Sequence, residues 1–293
     1  MPITIQLFFA LITGLTIFGT LGFEYHDQNI RSTKRLPDDG ESTISKIAKE
    51  PLLFGVFTFA NDTESLNVMR HHYSGNNLNH YVIHSVRSLS EGLWLYDTFP
   101  MHRKLIIIQS LDNITDAIKV GQGYELNMIL YDIEQWERTP ESERTKPSLS
   151  ISKGAGIVHE AGYRFGIAPD APTLIDNYKK INWTDIDFLD MQLQRFSQNV
   201  TQYSRIAEEI TTFVRFKNPN TEIFTQLSFR FTDANSMIKV IENVKDIVDG
   251  FIIFYDRNAR SDSCISECSP NELNLVLDRI NALTKQNNNH TIS

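Results

Sequence analysis

Two carboxylates follow a short apolar segment near the middle of the chain, and their spacing is suited to acid–base chemistry. Leu130 and Tyr131 end the segment, and Asp132 and Glu134 follow with one residue between them. In an extended strand alternate residues share a face, so the two carboxylates would project together, ~6–7 Å apart. Carboxylates that close repel one another, which raises the pKa of one and allows it to act as a general acid.

Further polar side chains lie in or just after similar apolar segments, and we expect them to line one pocket. A polar group buried in an apolar segment is costly unless it meets water or a hydrogen-bond partner. A hydrogen-bonded layer inside the fold is the alternative. Aromatic residues among them would offer flat faces to a ligand. The candidate ligand-binding residues are Trp136, Gln109, Asp170, Asp190, Gln192, Gln194, Gln226 and Tyr255.

The elements that must position these residues repeat one pattern from residue 52 onward. A short β-branched or aromatic run is followed by a polar turn and then by an amphipathic helical stripe. Eight such β-then-α units predict an α/β fold, the (β/α)8 or TIM barrel, in which the carboxyl ends of the strands carry the chemistry. A doubly wound open sheet is the alternative, but the glycine fingerprints of nucleotide binding are missing from the sequence. The predicted strand segments are Leu52–Phe59, His80–Val86, Lys104–Ser110, Asn127–Glu134, Tyr163–Ala168, Asp187–Gln194, Thr221–Ser228 and Gly250–Tyr255.

The N-terminal segment differs from the rest of the chain. Residues 1–23 carry no charged side chain and form a largely apolar run, long enough for a hydrophobic helix that crosses a bilayer once. We predict a signal peptide or membrane anchor at 1–23, a lead-in at 24–51 and the barrel domain at 52–293. This organisation predicts a secreted or membrane-anchored protein at the cell surface or outside the cell.

Composition narrows the classes of partner and cofactor. The formal net charge of −8 argues against nucleic-acid binding, which needs basic residues to displace counterions. Arg164 and Arg195 stand apart in the sequence, so we predict no phosphate site. His80 and His84 flank a β-prone stretch rather than a helix, and we predict neither a metal nor a cofactor.

The chain contains two cysteines, which excludes an all-cysteine zinc site. Cys264 and Cys268 follow the last predicted strand with three residues between them. In an exported protein this spacing predicts a disulfide that closes a small loop. A reactive thiol is the less favoured alternative, because no basic cluster lies nearby in sequence to lower its pKa.

The sequence Tyr131-Asp132-Ile133-Glu134 resembles the last half of the D-x-x-D-x-D-x-E signature of glycoside hydrolase family 18, the chitinases and their relatives. The segments 187–194 and 250–255 are similar to the sixth and eighth strands of that family. The resemblance implies that Glu134 donates a proton to the glycosidic oxygen. It also implies that Asp132 orients the substrate's 2-acetamido group, which acts as the nucleophile.

The sequence also departs from that signature. Asn127 and Leu130 stand where the family has its first two aspartates, so the partner that normally tunes Asp132 is missing. The stretch from Tyr131 to Pro140, with Glu141 and Glu143, is also similar to an uncharacterised barrel family with a Y-D-x-E-x-W…T-P…E pattern.

These observations together predict an exported barrel whose partner is a glycan. We expect a retaining glycoside hydrolase that acts on an N-acetylated polysaccharide or glycoconjugate, with Glu134 as the general acid. A non-catalytic, chitinase-like carbohydrate-binding or surface-interaction protein is one alternative. A metal-dependent hydrolase that uses Asp132, Glu134 and a histidine is another.

Overall fold

The computed structural model of the chain describes residues 51–58, 62–74, 80–85, 89–255, 264 and 268–289. Eight parallel strands close into a barrel in chain order, with the last strand paired to the first. The strands are β1 Leu53–Thr58, β2 Tyr81–Ser85, β3 Arg103–Ile108, β4 Met128–Tyr131, β5 Arg164–Ile167, β6 Phe188–Met191, β7 Glu222–Ser228 and β8 Gly250–Tyr255. The helices are α1 Thr63–Tyr73, α2 Leu89–Thr98, α3 Ile114–Tyr124, α4 Glu141–Arg144, α5 Pro147–Glu160, α6 Ala171–Asn177, α7 Val200–Lys217, α8 Ala234–Val244 and α9 Pro270–Asn289.

Each strand overlaps its predicted segment, so the (β/α)8 barrel is confirmed. The predicted hydrophobic helix lies outside the described residues, and the domain boundaries at 23 and 51 remain predictions. Among the residues that the structure does describe, none of the helices combines the length and the apolar character needed to cross a lipid bilayer.

Alternation along each strand divides the apolar side chains into two layers. On β4, Ile129 and Tyr131 point outward and pack with the helices, whereas Met128 and Leu130 point into the barrel. The inward apolar cluster fills the lower part of the barrel, which is therefore a packed core and not a channel. Its members are Tyr81, Ile83, Leu105, Ile107, Met128, Leu130, Ala168, Phe188, Phe224 and Ile252.

A charged network closes the amino-terminal end of the barrel. The carboxylate of Glu222 accepts hydrogen bonds from Arg103 (3.1 Å), from Arg164 (3.0 Å) and from the Tyr81 hydroxyl (3.0 Å). Burial, followed by the charge of Glu222, raises the pKa of Tyr81 to about 12. Polar groups at this end of a (β/α)8 barrel serve stability, since the chemistry lies at the opposite end.

The structure joins Cys264 and Cys268 in a disulfide within the loop between β8 and α9. His80 and His84 belong to the β2 region and not to a helix, as the sequence predicts. The Nδ1 atom of His80 accepts a hydrogen bond from the Phe54 amide, and burial lowers its pKa to about 3.

Strand β8 begins at a glycine because there is no room for a side chain. A Cβ atom on Gly250 would lie 2.5 Å from the Leu53 carbonyl oxygen and 2.5 Å from the Phe224 ring. We expect Gly250→Ala to lower the free energy of unfolding by ~1–3 kcal/mol, because the backbone must shift to make space. The measurement is the urea midpoint of the purified variant.

Gly156 is the matched control. It lies in α5, and a Cβ atom there would meet nothing within 4 Å. Gly156→Ala should stabilise the protein by ~0.5–1 kcal/mol, because alanine loses less backbone entropy in a helix. Equal shifts in the same direction for the two variants would contradict the tight approach of β8 to β1 and β7.

Candidate active site

The carboxyl ends of the strands surround an open cavity of about 700 Å³. The chain stays in register just beyond β4, where the Asp132 amide donates to the Ile108 carbonyl (2.8 Å). Ile133 joins the outer apolar layer, so Asp132 and Glu134 point into the cavity as their alternation predicts. The predicted site residues that line this cavity are Gln109, Asp132, Glu134, Trp136, Asp170, Asp190, Gln192, Gln194 and Gln226.

Asp132 and Glu134 form a coupled pair beneath the cavity mouth. The Gln192 amide donates to Asp132 Oδ1 (2.6 Å) and to the Ala168 carbonyl (2.8 Å), which holds Gln192 in place. Burial raises the pKa of Asp132 well above its usual range, and the charge of Glu134 adds to this, whereas Gln192 opposes it.

Burial also raises the pKa of Glu134, and its hydrogen bond with Gln192 opposes the shift. The pKa values of both carboxyls are raised, and the charge of Glu134 contributes to the shift of Asp132. The protonation of one carboxyl therefore affects that of the other.

Asp190 is the most deeply placed carboxyl of the cavity. It follows Phe188 on the inward face of β6, only 2 % of its surface is exposed, and its Oδ1 has no hydrogen-bond partner among the described residues. Burial raises its pKa well above the usual range. Burial therefore favours the protonated, neutral form of this side chain.

The glutamines and Asp170 surround these acids with polar contacts. Gln109 donates to the Ser85 hydroxyl (3.0 Å), and Gln194 donates to Gln192 Oε1 (3.3 Å). Asp170 Oδ1 accepts from the Thr173 amide (3.1 Å), so this residue caps α6 as well as lining the cavity. Part of its role is thus structural.

The prediction that Tyr255 lines the site is wrong. Alternation along β8 turns Tyr255 outward, where it is buried in the outer apolar layer with its hydroxyl 3.1 Å from Ser65 Oγ. Its neighbour Phe254 points into the cavity instead, together with Phe57 from the first strand. Trp136, by contrast, lies on the cavity wall and donates through Nε1 to Thr139 Oγ1 (3.2 Å).

Three arginines line the mouth of the cavity, although the sequence indicated no cluster of basic residues. Arg138, Arg195 and Arg230 follow three different strands, and the barrel brings all of them to the cavity. The Arg138 guanidinium lies 4.4 Å from the centre of the Trp136 ring, and Arg230 lies 4.9 Å from that of Phe254. Arg164 lies far from this cavity, because it forms an ion pair with Glu222 at the opposite end of the barrel.

Histidines lie away from the cavity. In the part of the chain that the structure describes, none of them lines it, so Asp132 and Glu134 have no imidazole with which to share a metal. Ligand atoms of His71, His72 and Asp278 do come close together on the outer surface. However, the two ring nitrogens of His72 already contact Asn274 (3.0 Å) and Asn281 (2.9 Å). A metal-dependent hydrolase using a histidine does not fit this cavity.

A buried carboxylate outside the barrel supports the end of β4. Glu143 accepts from the Tyr131 hydroxyl (2.5 Å), from the Ser110 hydroxyl (3.1 Å) and from the Leu111 amide (3.1 Å). It thereby ties α4 to the ends of β3 and β4, next to the carboxylate pair. The sequence pattern contained Glu143, but nothing in it indicated these partners.

We expect Glu143→Ala to destabilise the protein by ~2–4 kcal/mol, because buried donors lose a charged acceptor. Thermal or urea unfolding measures this directly. Glu141→Ala is the control, since Glu141 is exposed in the same helix and should change stability by less than ~0.5 kcal/mol. Similar losses for both variants would show that Glu143 does not hold this corner.

Asp190 also predicts a pH dependence of stability. In the unfolded chain its carboxyl ionises near its usual pKa, whereas in the folded protein it ionises only at much higher pH. The folded state binds the extra proton between those two values, so this residue makes stability fall as the pH rises through that window. Asp190→Asn removes the ionisation while keeping the shape.

The variant should therefore unfold at a higher temperature than the wild type at pH 8, with a smaller difference at pH 4. The scale is on the order of 2–4 °C for each kcal/mol in a chain of this size. Asp176→Asn, at an exposed position in α6, is the control and should follow the wild type at both pH values. If Asp190→Asn lowers the midpoint at pH 8, the neutral buried acid is refuted.

The similarity of this chain to solved structures is distant. No family model and no curated protein matches the chain. Among solved structures it is similar to TrpF from Jonesia denitrificans, with a TM-score of 0.47 and 9% identity over 80% of this chain and 98% of that one. It is also similar to 3-keto-L-gulonate-6-phosphate decarboxylase from Vibrio cholerae, with a TM-score of 0.46 and 9% identity over 79% and 99%. A triosephosphate isomerase from Bartonella henselae matches with a TM-score of 0.44 and 10% identity over 79% and 98%.

The chain is a TIM barrel. Its predicted membership of glycoside hydrolase family 18 is wrong, because no family model matches the chain. The physical reason is that the resemblance covered a few residues at a strand end. Acidic residues at that position belong to the architecture of such barrels and do not identify one activity. Leu130 belongs to the inward apolar layer, so the next inward position below Asp132 carries no second acid.

The predictions that depended on that family are contradicted with it. These are the glycan hydrolase, the carbohydrate-binding alternative and the glycan partner, all of which depended on the resemblance to that family. The predicted membrane attachment and extracellular or cell-surface location are contradicted as well. None of the helices in the described part of the chain could span a bilayer, and the predicted span at 1–23 lies outside that part.

Proposed function

We propose that the protein is an acid–base enzyme that acts on a small polar organic molecule held in the mouth of the barrel. The observation that carries the proposal is the pair of Asp132 and Glu134, two carboxyls with raised pKa values that line one cavity. Carboxyls with raised pKa values in a concave site are suited to proton transfer near neutral pH.

The size and lining of the cavity support a small substrate. About 700 Å³ lies within the usual range of small-molecule sites, ~300–1,000 Å³. The walls combine aromatic surfaces from Phe57, Phe254 and Trp136 with amide groups deeper inside. A molecule with polar atoms along its length would find both packing and hydrogen bonds.

The two carboxyls take different roles in the proposal. Glu134 is the more accessible of the pair and is the proton donor to a substrate oxygen. Asp132 is buried and held by Gln192, and it orients Glu134 and shares its proton. When Glu134 gives up the proton, the pair recovers one from the substrate or from water, so the site returns to its starting state.

Glu134→Gln tests this assignment, because glutamine keeps the shape but cannot release the proton. A mixture of small metabolites incubated with the wild-type protein should lose at least one component, as measured by untargeted mass spectrometry. The variant should act ~10²–10⁴-fold more slowly on the same component.

Glu137→Gln is the matched control, since Glu137 is exposed in the same loop and should retain full activity. Consumption of the component by Glu134→Gln at the wild-type rate would remove Glu134 from the mechanism. If the wild type transforms no compound, the protein is not the enzyme proposed here.

A further inference from the structure

Asp190 differs from Asp132 and Asp170 in the hydrogen bonds of its side chain. Asp132 is bonded to Gln192, and Asp170 accepts from two backbone amides, those of Thr173 (3.1 Å) and Gln135 (3.3 Å). Asp190 lines the same cavity with only 2 % of its surface exposed, yet its Oδ1 has no partner among the described residues. Buried polar atoms almost always have a hydrogen-bond partner, so this carboxyl is unusual. Because the Asp190 side chain lines the cavity, a ligand held there can contact the carboxyl group.

The position of Asp190 decides which part of a ligand could reach it. It lies beside Phe224 in the register of β6 and β7 and directly follows Phe188 on the inward face of its own strand. The aromatic core therefore begins just below it, and a ligand can extend no deeper. Gln194, on the same side of the barrel, also has a buried oxygen, Oε1, without a partner.

The charges around the cavity favour an uncharged group at this depth. An anion would meet Asp132, Glu134 and Asp170 in addition to Asp190, whereas a cation would have to pass the rim arginines. Burial raises the pKa of Asp190 and so favours its protonated form. A protonated carboxyl offers both a hydroxyl donor and a carbonyl acceptor. A ligand group that can both donate and accept satisfies it completely.

We propose that Asp190 contacts the substrate directly and pairs with an uncharged group that both donates and accepts hydrogen bonds, as a primary amide or a hydroxyl does. The inference rests on the proposed function only in taking this cavity as the substrate site. Asp190 thereby determines which end of the substrate enters first and leaves the other end beside Glu134.

Carbon-13 NMR of protein labelled at the aspartate carboxyl groups tests the proposal. Asp190→Asn identifies the Asp190 signal by its loss. Acetamide and ethylene glycol are the probes for the amide and the hydroxyl. N,N-dimethylacetamide and 1,2-dimethoxyethane are their matched controls, because they accept hydrogen bonds but do not donate them.

We expect acetamide, ethylene glycol or both to move the Asp190 signal at concentrations about fivefold lower than their methylated controls need, the value of one hydrogen bond. The signal of the exposed Asp176 should stay in place. Equal responses to the probes and controls, or no response to any of them, would overturn the proposal.

Two substitutions separate a ligand contact from a structural role. Binding to the variants is followed through the Asp132 signal. Asp190→Asn, which keeps a donor and an acceptor, should bind the probes as the wild type does, and Asp190→Leu should bind them at least fivefold more weakly. Retention of binding by Asp190→Leu would sink the proposal, provided that its circular dichroism spectrum matches that of the wild type.

The same probes distinguish this inference from the proposed function. Glu134→Gln should abolish turnover but leave the response of the Asp190 signal unchanged. If that variant loses turnover and no probe moves the Asp190 signal, the acid–base function is supported and the proposed role of Asp190 is wrong. If Asp190 responds but Glu134→Gln retains turnover, the reverse holds.

Discussion

The hydrogen bond from the Gln192 amide to Asp132 is the interaction on which the site depends. It crosses from the end of β6 to the end of β4, and the same amide nitrogen contacts the Ala168 carbonyl after β5. Three neighbouring strands are thus connected at one atom. This hydrogen bond holds Asp132 close to Glu134. Burial raises the pKa values of both carboxyls, as acid–base chemistry near neutral pH requires.

The two ends of the barrel use polar groups for opposite purposes. At the amino-terminal end, both carboxylate oxygens of Glu222 accept hydrogen bonds, from three donors in all. At the carboxyl end, Asp190 and Gln194 each have a buried oxygen with no hydrogen-bond partner among the described residues. The first arrangement contributes to stability, whereas the second costs stability unless a ligand supplies the missing contacts. This contrast distinguishes a structural cluster from a binding site without reference to any related protein.

The errors of the sequence analysis share a cause. A likeness of four residues at the end of β4 suggested a chitinase, but the pattern records only that acids follow an inward-facing leucine. Tyr255 was assigned to the mouth because it ends β8, although alternation turns it outward and brings Phe254 inside. In both cases a function was inferred from the position of a residue at the end of a strand. All barrels of this kind have residues at such positions, so the position alone does not indicate a function.

The sequence by itself determined the eight strands and the faces on which Asp132, Glu134, Asp190 and Gln192 lie. Those features follow from the local alternation of apolar and polar residues, because successive side chains of a strand point to opposite faces. Only the tertiary structure decided that Arg138, Arg195 and Arg230 meet at one rim and that Glu143 supports β4 from outside. These contacts join residues from different loops, and closure of the barrel, which no local pattern encodes, brings them together.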